Sequence, residues 1–475
     1  NYPELFAVGD CGVIKDYPRP SSGVWAVRAA KPLANNLEFI TKGLKLEEWK
    51  PQRKAIQLLD INIRKKKSKA FISWGEVIIG PFDFLSSLKE LIDKQFISKF
   101  DLVKDINSDM SSEEEMIKCR GCAAKLAFTP LSSALKKVDL IESSKDDSMN
   151  IGILNSDKTL IQSLDGFPSL ISDPWLNGRL LAFHSCSDIW ACGGSVISAQ
   201  SLINLPSISN NLQQELLYQV LEGINSALTI QGANLIGGHT LESRKISEEP
   251  FSLGIESSLT VNGVIDDKKY FWPKGGMKNG DEILISRSLG TGIIFSAFMN
   301  GQVKPYILDN VLKEMNKSQH EIVNYINQLT NLNPRSKIVN ACTDITGFGL
   351  LGHLSEMLEA TNSDQLKMNL KPLKVILELG NIPLYDGVEE LLDKGFESTL
   401  APENQIFLKN INGDNNLRFE LIFDDSSSNR SFYNAMLKIL VDPQTCGPLV
   451  VCCSSIYSEK LIEQGPWIKI GFISE

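Results

Sequence analysis

A chain of 475 residues, 43% apolar and 22% charged, is too long for one core and too apolar for disorder throughout, so two to four domains are expected. Its net charge of -9 is uneven: residues 1–106 hold 18 Lys and Arg against 13 Asp and Glu, a balance of +5, which leaves -14 for residues 107–475. Such an acidic body is unsuited to nucleic acid or anionic membrane, which need clustered cations, and it suits carboxylates gathered around a divalent metal.

Nine cysteines, an odd number that includes the adjacent pair Cys452-Cys453, do not make a disulfide scaffold; reduced thiols and a cytoplasmic setting are expected. No apolar run of about 18 residues and no charged-then-apolar leader is visible, so neither a transmembrane segment nor a signal peptide is expected. The chain begins with Asn1 and not Met, so sequence upstream of it is expected.

In chain order, "ELFAVGDCGVIKDYPRPSSGVWAVRAAKPLANNLEFI" predicts a short strand, a turn, a Pro/Ser-rich loop and a helix over about 23–40. "AIQLLDIN" and "AFISWGEVIIG" predict two strands joined by the basic run at 64–69, which reads as a solvated turn because no aromatic residue interleaves it. "FDFLSSLKELIDKQFISKF" predicts an amphipathic helix packing Phe84, Leu88, Leu91 and Ile92 into a core. Residues 101–115, polar and acidic, read as a linker. Beyond it, helices such as "PLSSALKKV", "NGRLLAFHSCSDIWACGG" and "NNLQQELLYQVLEGINSALTIQG" alternate with strands such as "TLIQSLDGF", "FSLGIESSLTVNGVI" and "DEILISRSL", a mixed α/β (α+β) pattern that the turn-rich "FWPKGGMKNGD" divides in two.

Three aspartates stand where elements are expected to end: Asp165 after "TLIQSL", Asp188 before Gly193-Gly194, and Asp344 before "ITGFGLLGH". Magnesium takes a few carboxylates together with phosphate oxygens, so the three together point to a metal–nucleotide site. "NLIGGHTLES" is expected to turn at Gly237-Gly238-His239, and Gly347-Phe348-Gly349 to open a helix; exposed backbone N–H groups in such places hold phosphates, although neither is a P-loop. His184 and Asp188, four apart, share a helix face, which fits a packed histidine better than a ligand. "MIKCRGCAAKLAF" sets Cys119 and Cys122 three apart with Lys125 three further on. Structural zinc lacks a second ligand pair and a redox pair lacks its strand–helix setting, which leaves a buried thiol or a thiolate at Cys122 beside the Lys125 cation.

At these residues the second unit resembles the selenophosphate synthetase family, also called selenide, water dikinase. Gly121-Cys122 with Lys125, "SLDGF", "DPWLNGR", "SDIWACGG", "IGGHT", "SLGTGI", "DITGFGLLGH" and "DPQTCGP" follow in family order over about 113–475. The resemblance implies a two-domain aminoimidazole ribonucleotide synthetase-like ATP-binding fold, catalytic Cys122 and Lys125, magnesium on Asp165, Asp188 and Asp344, and nucleotide contacts from Lys125, Asp173, Asp188, Gly237, Gly238 and His239. It further implies conversion of ATP, selenide and water to selenophosphate, phosphate and AMP by a homodimer. Alternatives are a related Mg-ATP phosphotransferase with another acceptor and an inactive dimerisation module. The chain departs from the family pattern at Ala123-Ala124 and at Cys446-Gly447-Pro448, where Pro448 removes a backbone donor.

Residues 1–106, through "LFAVGDC" and "RPSSGVWAVRAAKPLANNL", resemble the C-terminal end of a FAD-dependent NADH dehydrogenase of the pyridine nucleotide–disulfide oxidoreductase type. There Asp10 matches an aspartate at the flavin ribityl chain, but without a GxGxxG loop FAD is expected only with an upstream domain. The resulting domains are 1–106, 107–270 for the ATP and metal half, and 271–475 for the C-terminal half.

Overall fold

The computed structural model describes residues 5–18, 23–52, 54, 56–61, 69–97, 120, 147–155, 158–243, 253–266, 271–333, 335–411, 418–423 and 430–475. The chain divides into two units: Asn1–Glu114 with the stretch Ser209–Leu212, and the rest of Glu115–Glu475. No described helix is long and apolar enough to cross a membrane. The expected linker, the helix "PLSSALKKV" and the opening thiol segment with Cys119, Cys122 and Lys125 lie outside the described residues, as does the tip of the basic turn.

In the first unit, α1 (Gly23–Thr41) buries Trp25 and Ala29, and an antiparallel sheet runs in the order β1 (Ile56–Ile61), β2 (Lys69–Trp74), β3 (Val77–Phe82). "AFISWGEVIIG" was expected as one strand and is two, because Gly75, at φ 63°, takes a left-handed conformation that reverses the chain. The following helix, α2 (Asp83–Ile97), corrects a second expectation. It seats on the sheet through Leu85, 2% exposed, while Phe84, Leu88, Leu91 and Ile92 are each at least 41% exposed. At about 100° per residue Phe84 and Leu91 lie a quarter turn or more from Leu85, whereas Leu88 and Ile92 share its side of the helix and are still 41% and 46% exposed.

Among the described residues, the second unit holds two sheets. The first runs β4 (Met149–Asn155), β5 (Lys158–Pro168), β8 (Glu256–Ile265), β6 (Ser195–Leu205), β7 (Asn234–Glu242), antiparallel except for the parallel β6–β7 edge pair. That pair needs a crossover, supplied by helix α4 (Asn210–Thr229), after helix α3 (Pro174–Ala191) has joined β5 to β6. One face carries Ile161, Phe167, Ala199, Ile203, Leu259 and Val261 into the core; the other shows Leu164, Leu202 and Leu241. The second sheet runs β10 (Ala341–Asp344), β13 (Leu449–Cys453), β9 (Glu282–Ile285), β14 (Ile468–Ser474), β11 (Lys374–Glu378), β12 (Phe419–Ile422). Helices α5 (Thr291–Met299) and α6 (Gly349–Lys367) belong to this half.

Helix α3 organises the unit. Asp173 caps it, accepting from Leu176 N, and Pro174 fits its first turn, where no backbone donor is needed. Nearly every later position is buried, because α3 packs on β5 and β8 of the first sheet and also touches β10 and β13 of the second. It crosses α4 at glycines: a Cβ on Gly223 would lie 1.9 Å from Trp175 O, and one on Gly178 2.2 Å from Val220 O.

Candidate active site

Both sheets deliver carboxylates to α3. Asp188 lies in its last turn and Asp344 is the final residue of β10; with Asp147, just before β4, they offer oxygens all within 4.8 Å of one another. Ser163 Oγ on β5 donates to Asp188 Oδ2, and Ser187 Oγ donates to Asp344 Oδ2. Thr343 Oγ1 lies 3.2 Å from Asp147 Oδ1, and Lys274 Nζ lies 2.5 Å from that same oxygen. Burial pushes the Asp147 carboxyl up to about 6 against the pull of Lys274, and Asp188 is raised well above the usual range by burial and then by Asp344, Asp165 and Asp147. Like charges converging out of water are what a hard divalent cation relieves, and an all-oxygen donor set suits magnesium.

Asp165 stands beside this trio. It was expected to end its strand, yet β5 continues to Pro168 and pairs Asp165 with Leu259. Its Oδ2 faces His184 Nε2 at 3.0 Å, and Oδ1 accepts from Gly166 N at 2.7 Å. Asp147 was missed by sequence reasoning. It sits in "SSKDDSMN", a polar stretch with no glycine turn and no apolar strand before it, and only the approach of residues almost two hundred positions later gives it a role.

Asp173 is the exposed N-cap of α3. Gly237, Gly238 and His239 do not form the expected turn. They lie inside edge strand β7, where a bulge skips Ile236 and Gly237 adopts φ 151°, so the glycine pair bends the strand without ending it. His239 pairs with Leu202, which places it on the open face of the sheet, whereas Asp165 points to α3 on the other.

The "DPQTCGP" loop closes the site from the C-terminal half. Gln444 Oε1 accepts from Gly290 N and Thr291 N at the start of α5, and Asp442 Oδ2 accepts from Gly292 N and Ile293 N. Cys446 takes the left-handed φ of 49°, donates its N–H to His184 Nδ1 at 3.4 Å and places Sγ 3.2 Å from Leu180 O. Pro448 is accommodated: its carbonyl accepts Ile345 N at 2.9 Å, and the strand pairs from Leu449 onward. The seven described cysteines are free, and those inside the second unit are buried.

The profile of the AIR synthase related protein, N-terminal domain, matches residues 145–264, and that of its C-terminal domain matches residues 278–403. The second unit therefore carries both domains of that two-domain fold. "Selenide, water dikinase" from Clostridioides difficile is 28% identical over 358 residues, covering 74% of this chain and 90% of that protein. The Treponema denticola protein of the same name is 29% identical over 355 residues, covering 72% of this chain and 86% of its own length. The crystal structure of thiamine monophosphate kinase from Aquifex aeolicus aligns with a TM-score of 0.49 at 16% identity, over 73% of this chain and 94% of that one.

Proposed function

We infer that this chain, whose second unit is built from the two AIR synthase-related domains, is an ATP-dependent selenide, water dikinase that forms selenophosphate, AMP and phosphate from selenide, ATP and water. The observation that carries the site assignment is the convergence of Asp147, Asp188 and Asp344 from three separate stretches of chain. Magnesium held by this trio, with Asp165 adjacent, would offset the charge of a triphosphate and lower its repulsion of an anionic nucleophile. Ser163 and Ser187 keep two of the carboxylates aimed, and His184 holds the fourth, so these carboxyl groups are oriented before any substrate arrives.

Cys122 is assigned to selenium handling, with Lys125 neutralising an anionic group near ATP, and Asp173, at the head of α3, to the nucleotide. Within one chain, Gly238, paired with buried Ser201, lies on the α3 side of its strand, whereas Gly237 and His239 face away from the side of the sheet on which Asp165 meets α3. Their proposed contact with phosphates is therefore made across a homodimer. The open face of the first sheet supports that arrangement: Leu164, Leu202 and Leu241 stand exposed on β5, β6 and β7. Residues 1–106 are read as the C-terminal remnant of a FAD-dependent NADH dehydrogenase, with the exposed stripe of α2 as the support, and FAD requires the upstream domain. Free described cysteines fit a cytoplasmic setting.

The test is ATP conversion to AMP under anaerobic conditions with and without selenide. AMP formation that requires selenide is expected; formation indifferent to it would favour another acceptor, and loss of Mg-ATP binding altogether would favour an inactive dimerisation module. Cys122→Ser is expected to abolish the selenide-dependent reaction and keep Mg-ATP binding, while Cys119→Ser is mild. A chain beginning at Ser111 is expected to keep the activity.

A further inference from the structure

Lys274 lies in the loop that joins the two sheets, and residues 272–277 of that loop are pinned. Trp272 N donates to Cys192 O at 3.1 Å, Cys342 N donates to Pro273 O at 3.0 Å, and Gly276 N and Met277 N both donate to Thr361 Oγ1, at 3.0 and 3.2 Å. Gly275 is pressed against α6, where an added Cβ would come within 2.9 Å of Ala360 Cβ. The backbone thus delivers Lys274 to one place. Its ammonium is 2.5 Å from Asp147 Oδ1 and 3.1 Å from Glu356 Oε2, with the lysine side chain 10% exposed and Asp147 6%.

The two partners differ in kind. Asp147 belongs to the carboxylate trio, while Glu356, on α6, does not; it lies 3.4 Å from His353 Nδ1. A buried ammonium left without a counter-ion is strongly destabilising, so a lysine that must share a carboxylate with a metal needs a second carboxylate to retreat to. Glu356 is such a partner. An ion bound to the Oδ1 that the ammonium now holds would sit at close range to it in a weakly screened interior, and the repulsion favours one cation leaving that oxygen.

We propose that Lys274 is an internal competitor for the divalent-ion site: its ammonium holds Asp147 while no ion is bound and withdraws onto Glu356 when an ion takes that carboxylate. The inference rests on the trio being the metal site. Ion affinity is then set by an exchange between two cations, and the ammonium and the ion act as reciprocally coupled ligands of one carboxylate.

The experiment is titration of the full chain with Mn2+ alone, without nucleotide, following free Mn2+ by electron paramagnetic resonance in the wild type, Lys274→Met and Glu356→Gln. Lys274→Met removes the competitor and is expected to bind Mn2+ roughly tenfold tighter, within the usual range of site-to-site coupling. Glu356→Gln removes the retreat, keeps the ammonium on Asp147 and is expected to weaken binding by a factor of about five. A static ion pair would lower the melting temperature of both variants and, by charge alone, shift the two affinities in the same opposite senses. The deciding readout is therefore the Lys274 ammonium itself, followed by lysine-selective NMR of the full chain with and without Mg2+. Its contact with Asp147 is expected to be lost on ion binding and that with Glu356 kept, and an Asp147 contact that persists with the ion bound overturns the proposal. Affinities that stay put or shift together overturn the proposal. If Lys274→Met does not fold, unchanged or tighter binding by Glu356→Gln overturns it alone. A wild type that binds no Mn2+ overturns the metal-site reading itself, and this inference with it.

Discussion

His184 and Asp165 are paired through Nε2 and Oδ2 at 3.0 Å, with the imidazole 1% exposed. The other ring nitrogen accepts from Cys446 N–H, so Nδ1 is bare and Nε2 carries the proton that points at the carboxylate. One neutral ring thereby aims a carboxylate beside the Asp147, Asp188 and Asp344 trio and accepts from the backbone of a residue in a left-handed conformation. His184→Leu removes that partner from both the buried Cys446 N–H and the 19% exposed Asp165 and is expected to cost about 1–3 kcal/mol, read from the urea midpoint, the range for losing a hydrogen bond to a charged group. His184→Gln, which can still donate to Asp165, is expected to recover part of it.

Asp188→Asn is expected to separate stability from function. Burial and three neighbouring carboxylates raise the Asp188 pKa well above the usual range, so the charged form is disfavoured in the folded protein until a cation arrives. An amide removes that repulsion: in EDTA the variant should melt no lower than the wild type. Its selenide-dependent turnover should fall by roughly a hundredfold or more, because an amide cannot replace charge in a phosphoryl-transfer site. A variant with normal magnesium-dependent turnover would remove Asp188 from the metal site.

The parts of this site written into local sequence were legible, and those made by distant contacts were not. Helix α3 was readable from Asp173-Pro174 at one end and Gly193-Gly194 beyond the other, and Asp188 came with it. Asp344 was readable because a strand end followed by "ITGFGLLGH" is a local pattern. Asp147 was not, since its environment is assembled from Thr343, Lys274 and Glu356, and a polar stretch carries no mark of that. "IGGHT" misled for the opposite reason. Two glycines usually signal a turn, but beside β6 the ladder of an edge strand holds them extended with a bulge. The α2 stripe had helical period, yet period does not say which side of a helix finds a partner.

Asp442 gives a pH signature. Burial pushes its carboxyl from the ordinary 3.8 up to about 8, although Gly292 N, Ile293 N and Gln444 Nε2 all donate to Oδ2. Oδ1 is buried and has no hydrogen-bond donor among the described residues, so it is the oxygen on which a proton would sit. Between about pH 4 and 8 the folded chain therefore holds a proton that the unfolded chain has released, so this group makes stability fall as pH rises, by at most about 1.4 kcal/mol per pH unit. Asp442→Asn resembles the protonated acid and cannot ionise. Urea midpoints at pH 5, 6, 7 and 8 are expected to fall less steeply in the variant, which should be the more stable of the two at pH 8; parallel curves would mean that Asp442 is ionised throughout.

The crossing of α3 and α4 predicts how two substitutions combine. Gly223 meets Trp175 O and Gly178 meets Val220 O, so each glycine lets one helix lie on the backbone of the other. An alanine at Gly223 would put Cβ 1.9 Å from a carbonyl oxygen, which no rotamer change relieves because the opposing atom is backbone. The helices must part, and Gly223→Ala is expected to cost about 3 kcal/mol, the upper end for overpacking. Gly178→Ala forces the same separation from the other side. Once the helices have moved for one methyl group, the second finds room already made, so the double variant should lose distinctly less than the sum of the single losses. Because α3 carries His184 and Asp188, the separation should also weaken Mn2+ binding in the single variants while far-ultraviolet circular dichroism stays unchanged. Additive losses in the double variant would mean that the two contacts yield independently and that α3 does not move as one body.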